Sequence, residues 1–246
     1  MIDRLLRSMM YTRETCPQQS NGMTEEKKLL GSICIVEPRL HASLDVVIHT
    51  VHKMLPDWPL HVFHGIKNQT FVKEICRDIE NTQFHVIHVV NLSLRAYNKL
   101  LTKVSFYQNF RSEYVLIFQT DSILFPHSPF RISDFLGYDY IGAPWKWNTE
   151  EKGGNGGLSL RKVETMIHVL TEYPYLPASY GMAEDMYICK LPIQLPPREL
   201  AMRFSVESVF YPTPFGVHKP WHHLDINEYV KLQEYAPILK QLIDKN

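Results

Sequence analysis

Long apolar runs are missing from this sequence. No stretch of its 246 residues approaches the ~18 apolar residues that a membrane-crossing helix needs, so no transmembrane segment is expected. The opening Met1-Ile-Asp-Arg-Leu-Leu-Arg has no apolar core followed by small residues, and a cytoplasmic location, free or peripheral to a membrane, is the expectation. An excess of one charge is missing too. Lys plus Arg and Asp plus Glu number 26 each, with a pI near 7.2, which leaves no global field to draw the chain to nucleic acid. Any charged ligand must therefore be held by local groups. Cysteine is scarce, and Cys16, Cys34, Cys76 and Cys189 form no Cys-x-x-Cys pair; they read as reduced thiols rather than zinc ligands or disulfides. Neither a Gly-x-x-x-x-Gly-Lys-Ser loop nor a Gly-x-Gly-x-x-Gly after a first strand occurs, which argues against those two phosphate-binding devices. Repeats and low-complexity tracts are absent, and the two sequons, Asn68-Gln-Thr70 and Asn91-Leu-Ser93, are of a kind that arises by chance.

What is present is an ordinary globular composition, 45% hydrophobic and 21% charged, long enough to bury one full core. Residues 1–31 are polar and mixed and read as a loosely ordered extension, residues 32–224 as one domain, and residues 225–246 as a helical tail that Pro237 interrupts. Within the domain, short apolar runs alternate with helical spacing. Strands are predicted at Ser32 to Val36, Leu60 to His64, Phe84 to Val90 and Tyr114 to Phe118, with helices at Ser43 to Leu55, Phe71 to Ile79 and Ser93 to Phe110 between them. The last of these helices has a candidate buried face of Leu94, Tyr97, Leu101, Val104 and Phe106. Strand-helix alternation of this kind predicts a three-layer α/β/α sandwich around a largely parallel, Rossmann-like sheet. Beyond it the pattern is less regular: a strand at Tyr138 to Gly142, a glycine loop at Lys152 to Gly157, a short strand at Leu158 to Leu160, and helices at Arg161 to Tyr173, Met182 to Leu191 and Pro197 to Met202, then a strand near Ser205 to Phe210.

Four patches carry chemistry. In Tyr114-Val-Leu-Ile-Phe-Gln-Thr-Asp-Ser122 a buried-type strand runs into Asp121, and an unpaired charge cannot stay inside, so Asp121 marks the exposed carboxyl end. That end is where open α/β sheets bind nucleotides and their metals, although taken alone an Asx-turn is the commoner explanation. Gly153-Gly-Asn-Gly-Gly157 allows positive φ and close approach of a ligand to the backbone, or simply makes a hairpin. Glu184-Asp185 opens a helix, where acids also occur for the dipole alone. Phe215-Gly-Val-His-Lys-Pro-Trp221 crowds an imidazole that suits Mn²⁺ with an ammonium that suits phosphate.

Together with Ile35-Val-Glu-Pro-Arg39, Val62-Phe-His-Gly65, Asp139-Tyr-Ile-Gly-Ala-Pro-Trp145 and Phe204-Ser-Val-Glu207, these patches stand in an order that resembles a GT-A-fold nucleotide-sugar glycosyltransferase. The chain is most similar to an uncharacterised glycosyltransferase-like family of bacteria, fungi and large DNA viruses. The likeness spans residues 33–223. It implies transfer of a sugar from a nucleoside diphosphate, UDP in the first place, to a hydroxyl of a glycan or other acceptor, assisted by Mn²⁺ or Mg²⁺. In its terms Gln119-Thr120-Asp121 takes the place of the Asp-x-Asp motif, with an uncharged Gln119 for the first acid, and Asp121 and His218 are the metal ligands. Val36, Glu37, Arg39 and Gly65 sit where base and ribose are held, with Arg95, Asn98 and Lys99 on the helix before the motif. Asn155, Gly156 and Gly157 close over the donor sugar, Lys219 meets the diphosphate, and Trp145 and Trp221 offer sugar platforms. Asp185, then Glu184, is the base of an inverting enzyme, or a clamp on a sugar hydroxyl in a retaining one. A sugar-binding relative without turnover, and a metal-dependent nucleotidyltransferase or phosphoesterase, remain as alternatives.

Overall fold

A computed structural model of the chain describes residues 29–147, 152–243 and 245. Six strands form the central sheet: β1 (Leu29–Glu37), β2 (Leu60–His64), β3 (Gln83–Val86), β4 (Ser112–Phe118), β6 (Tyr140–Ala143) and β7 (Asn155–Lys162). Their order is β3-β2-β1-β4-β7-β6. The first four run parallel, while β7 is antiparallel to both of its neighbours. Three short strands, β5 (Ser122–Leu124), β8 (Ser205–Val206) and β9 (Gly216–His218), make a second sheet in the order β5-β9-β8. The helices are α1 (Leu44–Met54), α2 (Gln69–Ile75), α3 (Leu94–Leu101), α4 (Val104–Tyr107), α5 (Val163–Glu172), α6 (Glu184–Ile188), α7 (Arg198–Phe204), α8 (Ile226–Tyr235) and α9 (Ile238–Ile243). This is the expected α/β sandwich with a mostly parallel sheet, a GT-A-like, Rossmann-type architecture.

The three layers follow from side-chain alternation along strands that are buried on both faces. Ile33 and Ile35 of β1, with Leu116 and Phe118 of β4, face one core, which they share with Leu44, Val47 and Ile48 of α1. Cys34 and Val36, with Val115 and Ile117, face the other core against Leu101, Phe106 and Met166. Each such side chain taken fully out of water contributes roughly 1.5–3 kcal/mol, so the central strands anchor the molecule. The tail is part of this packing. Leu232, Leu239 and Leu242 of α8 and α9 join the first core, and the two helices are split at Ala236 and Pro237 as the proline requires.

Several expectations shift. The extension read over 1–31 lies outside the described residues except for Leu29 to Gly31, which already belong to β1. The strand expected to reach Val90 stops at Val86. The single helix from Ser93 to Phe110 is two: Ser93 caps α3 through its Oγ, and Lys103 takes extended backbone angles beside the β-branched Thr102 and Val104. Leu94, placed on the buried face by spacing, is the first residue of α3 and is 74% exposed. The glycine loop shortens. Gly153 does take a positive φ of 127°, but Asn155, Gly156 and Gly157 belong to β7, where Ala143 pairs with Asn155 across an irregularity in the ladder. Among the described residues Cys34, Cys76 and Cys189 are free, and burial pushes Cys76 and Cys189 up to about 12, while Cys16 lies outside the described residues. No helix among the described residues is long and apolar enough to cross a membrane.

Candidate functional site

At the end of β4 the chain turns sharply. Ser122 donates its N–H to Gln119 O (3.1 Å), and its hydroxyl donates to Gly157 O of β7 (2.8 Å), so Gln119 to Ser122 is tied down as a turn with Asp121 near its apex. β5 then pairs with β9 in a register that sets Ser122 opposite His218, which brings His218 beside Asp121 although 97 positions separate them (218 − 121). β8 pairs with β9 through Val206 and Val217, and the next residue, Glu207, falls behind the ring. The small sheet thus assembles the three side chains.

The resulting geometry is convergent. His218 Nε2 lies 3.2 Å from Asp121 Oδ1 and 3.2 Å from Gln119 Oε1, while Nδ1 lies 3.0 Å from Glu207 Oε1. Burial opposes a charge on His218, but the carboxylates of Asp121 and Glu207 outweigh it and raise the imidazole above its ordinary value. Burial likewise opposes a charge on Asp121, yet the His218 ring and the Lys219 ammonium hold its carboxyl below the usual range. Asp121 Oδ1 is closed to solvent and makes no directed hydrogen bond. That oxygen stands next to an amide oxygen and a ring nitrogen whose partner nitrogen is oriented by a carboxylate, and donors of these types suit a divalent cation. Among the described residues no cluster of three or more His, Cys, Asp or Glu side chains exists to hold a metal, so the protein would supply few ligands.

The ends of β1 and β2 make the neighbouring rim. Glu37, buried, accepts from Arg39 Nε (2.8 Å), Nη2 (2.6 Å) and the Arg39 N–H (2.8 Å), and the side-chain bonds to Glu37 raise the guanidinium further. Arg39 and His41 both feel the charge of Asp121, which places them on the same rim. Beneath it, Asn68 donates to Glu37 O and Arg39 O and accepts from the Gly65 N–H. That buried amide straps two strand ends together, so the first sequon is not open to glycosylation. Gly65 has no room for a side chain, since a Cβ would stand 2.6 Å from Val89 O. Val36 is part of the second core, and Thr120 is buried.

On the other side stand the acids of α6. Asp185 is pinned by the N–H groups of Gly156 (2.9 Å) and Met186 (2.7 Å), and burial raises its carboxyl despite them. Both oxygens of Glu184 are occupied by Arg161, at 2.9 and 3.0 Å, and Arg161 is itself wholly buried, donating also to Tyr107 Oη and Ser159 Oγ. Three consecutive residues of β7 connect the parts. Asn155 Oδ1 accepts from Gly157 N, Gly156 touches Asp185, and Gly157 lies flat against the His218 ring. These glycines are there for contact: a Cβ on Gly157 would run into the imidazole, and one on Gly156 into Glu184. Gly157→Ala is expected to cost about 1–3 kcal/mol in denaturant unfolding, as overpacked positions do. An unchanged midpoint would mean the ring swings aside freely.

The remaining sequence candidates divide. Lys219 takes a left-handed φ of 31° and donates its N–H to Asp121 O (2.9 Å), which holds it next to the motif. Arg95 and Lys99 sit over the ring of Tyr180, 4.8 and 3.9 Å from its centroid, and Asn98 is buried; Tyr175, close to Tyr180 and Arg95, also feels Glu184, so this patch belongs to the acidic side of the site. Trp145 stacks on Trp147 (centroids 5.3 Å apart) and the two wall a cleft of about 290 Å³ rimmed by Asn155, Glu207, Ser208, Lys219 and His223. Trp221 packs against the first core and is not part of that wall. Sequence reading passed over Glu207, Trp147 and His223 as site residues. Glu207 carried a signal like that of Asp121, an acid just beyond a strand end, whereas nothing in the sequence separates Trp147 from Trp221.

The fold and the site define an α/β protein of the GT-A-like, Rossmann type, with its polar groups gathered at the carboxyl ends of the parallel strands. Residues 80–218 match the family described as "Protein of unknown function (DUF5672)", and the chain belongs to that family. No curated protein matches it in sequence. Among solved structures it is similar to the glycosyltransferase GlyE of Streptococcus pneumoniae TIGR4, with 12% identity and a TM-score of 0.50 over 88% of this chain and 64% of that one. A 4-diphosphocytidyl-2C-methyl-D-erythritol synthase from Anaerococcus prevotii DSM 20548 gives 9% identity and a TM-score of 0.41 over 61% of this chain and 78% of that one. At such identities the likeness to GlyE is one of fold, and this chain spans less than two thirds of that chain's length.

Proposed function

We propose that this protein is a glycosyltransferase that takes a sugar from a nucleoside diphosphate, UDP being the first to test, and passes it to an acceptor hydroxyl. The observation that carries the reading is the meeting of Gln119, Asp121 and His218 at the end of β4, between a polar rim at Glu37 and Arg39 and a pinned carboxylate at Asp185. A ligand with a base and ribose, a diphosphate and a transferable group needs such a sequence of subsites. The rim of Glu37, Arg39 and His41 would hold the nucleoside. Asp121 and His218 would hold a divalent cation, Mn²⁺ or Mg²⁺, which when bound offsets the charge that grows on the departing diphosphate. Lys219, whose backbone is tied to Asp121, adds an ammonium near the same end.

Asp185 is the group suited to the acceptor. Burial raises its carboxyl above the ordinary value, and two backbone N–H groups fix its direction, as a general base requires. Glu184 has its oxygens taken by Arg161 and holds the helix in place instead. Thermal melts with a panel of nucleoside diphosphate sugars, with and without Mn²⁺, followed by assay of donor hydrolysis, test the reading. Stabilisation that needs both nucleotide and metal, together with slow hydrolysis, is the expected result; stabilisation without any turnover would make the protein a binding relative. Asp185→Asn is expected to cut transfer by at least ~10²-fold at near-unchanged nucleotide affinity. Wild-type turnover in that variant would return the carboxylate to a structural role.

A further inference from the structure

The cleft beside the site has features that the donor does not account for. Trp147 is 65% exposed although its indole lies nearly parallel to that of Trp145 (22°), so an apolar ring face is left open at the mouth of a concavity. The wall is built rather than incidental: Arg198 Nη2 donates to Trp145 O (3.0 Å), and the Lys146 N–H donates to Ser208 Oγ (3.1 Å). Opposite the indoles the rim is polar. Glu207 uses Oε1 on His218, while its Oε2 accepts no hydrogen bond from a described residue, and His223 and Lys219 stand next to it.

We infer that this cleft is an acceptor subsite for a single pyranose ring, so that the hydroxyl to be glycosylated belongs to a carbohydrate. The inference rests on the glycosyltransferase reading and deepens it. A pyranose has one face of C–H groups and an edge of hydroxyls, and an indole wall facing carboxylate, imidazole and ammonium groups matches that division. At about 290 Å³ the cleft is at the small end for a ligand pocket, enough for one ring and too short for a peptide strand that needs main-chain partners along its length. Its place distinguishes acceptor from donor. Asp121 and Gln119 approach Nε2 of His218, whereas Glu207, on the cleft rim, approaches Nδ1 on the opposite side of the ring. The diphosphate end and the cleft are thus neighbours that meet at Lys219, whose backbone is tied to Asp121 while the residue also lines the cleft. Along β7 the order Asn155, Gly156, Gly157 runs from cleft wall to Asp185 to His218, which sets the candidate base between them.

Saturation-transfer NMR on the full chain with UDP and Mn²⁺ tests this, using methyl glucoside, methyl galactoside, N-acetylglucosamine and N-acetyllactosamine as probes. Transfer to the ring C–H protons of at least one probe is expected, with affinity at least tenfold weaker in Trp147→Ala, partly restored in Trp147→Phe, and UDP-Mn²⁺ stabilisation unchanged in both. Equal glycoside affinity in Trp147→Ala, or no transfer to any probe from a protein that UDP and Mn²⁺ do stabilise, would overturn the subsite alone. Absence of stabilisation by any nucleoside diphosphate would instead overturn the transferase reading and the subsite with it.

Discussion

Asp121→Asn is expected to abolish Mn²⁺-dependent stabilisation by a nucleoside diphosphate while leaving the unliganded protein folded. The substitution keeps the shape of the side chain and removes its charge, the one full negative charge that faces His218 Nε2. With Gln119 supplying only an amide oxygen, no second carboxylate among the described residues meets Nε2 to compensate. At ligand concentrations 100 times Kd a binding site contributes about 2.7 kcal/mol of stability, so the melting shift that disappears is large enough to read directly. His218→Ala is expected to weaken the same shift less, because water can replace a neutral ligand, while lowering the melting temperature of the unliganded protein, because Glu207 loses its partner in a buried position. Intact metal-dependent binding in a folded Asp121→Asn protein would remove Asp121 from the site.

Glu184→Gln is expected to act through stability. It leaves the wholly buried Arg161 without its counter-charge, and breaking such a pair from one side costs about 3–5 kcal/mol. For a chain of this size that is a fall in melting temperature of roughly 6–20 °C. Arg161→Met should cost a similar amount, and the double variant Arg161→Met with Glu184→Leu should recover much of it, since no charge is then left buried. The remaining deficit would come from Tyr107 and Ser159, which lose the guanidinium as partner. Urea unfolding of wild type, Glu184→Leu, Arg161→Met and the double variant closes the cycle and gives the coupling energy between the two positions. A Glu184→Gln protein as stable as wild type but inactive would instead place Glu184 in the chemistry.

Much of the fold was legible because its signals are local. The apolar runs at Leu60 to His64 and Tyr114 to Phe118 could only be buried strands, the spacing of Leu44, Val47, Ile48 and Val51 could only cover a sheet, and the breaks at Pro56 and Pro237 stand where predicted. Asp121 was legible for the same reason: a charge just beyond a buried strand has to lie at its open end. Boundaries were less so. Gly156 and Gly157 read as a loop because glycine usually marks one, and their reason for being glycine, the His218 ring and the Glu184–Arg161 pair pressed against them, comes from residues far along the chain.

By itself, then, the sequence determined the alternation of strand and helix, the parallel sheet that alternation requires, and the strand ends at which Glu37 and Asp121 emerge, since burial and periodicity act between near neighbours. The tertiary structure decided how those ends become a site. Pairing of β5 with β9 and of β9 with β8 put His218 between Asp121 and Glu207, the buried Arg161 took Glu184 and left Asp185 as the acid held by backbone N–H groups, and Trp147 rather than Trp221 joined Trp145 in the cleft wall. Each of these depends on strand register and on which side chains a buried charge can reach, and such contacts are set by folding and not by spacing along the chain.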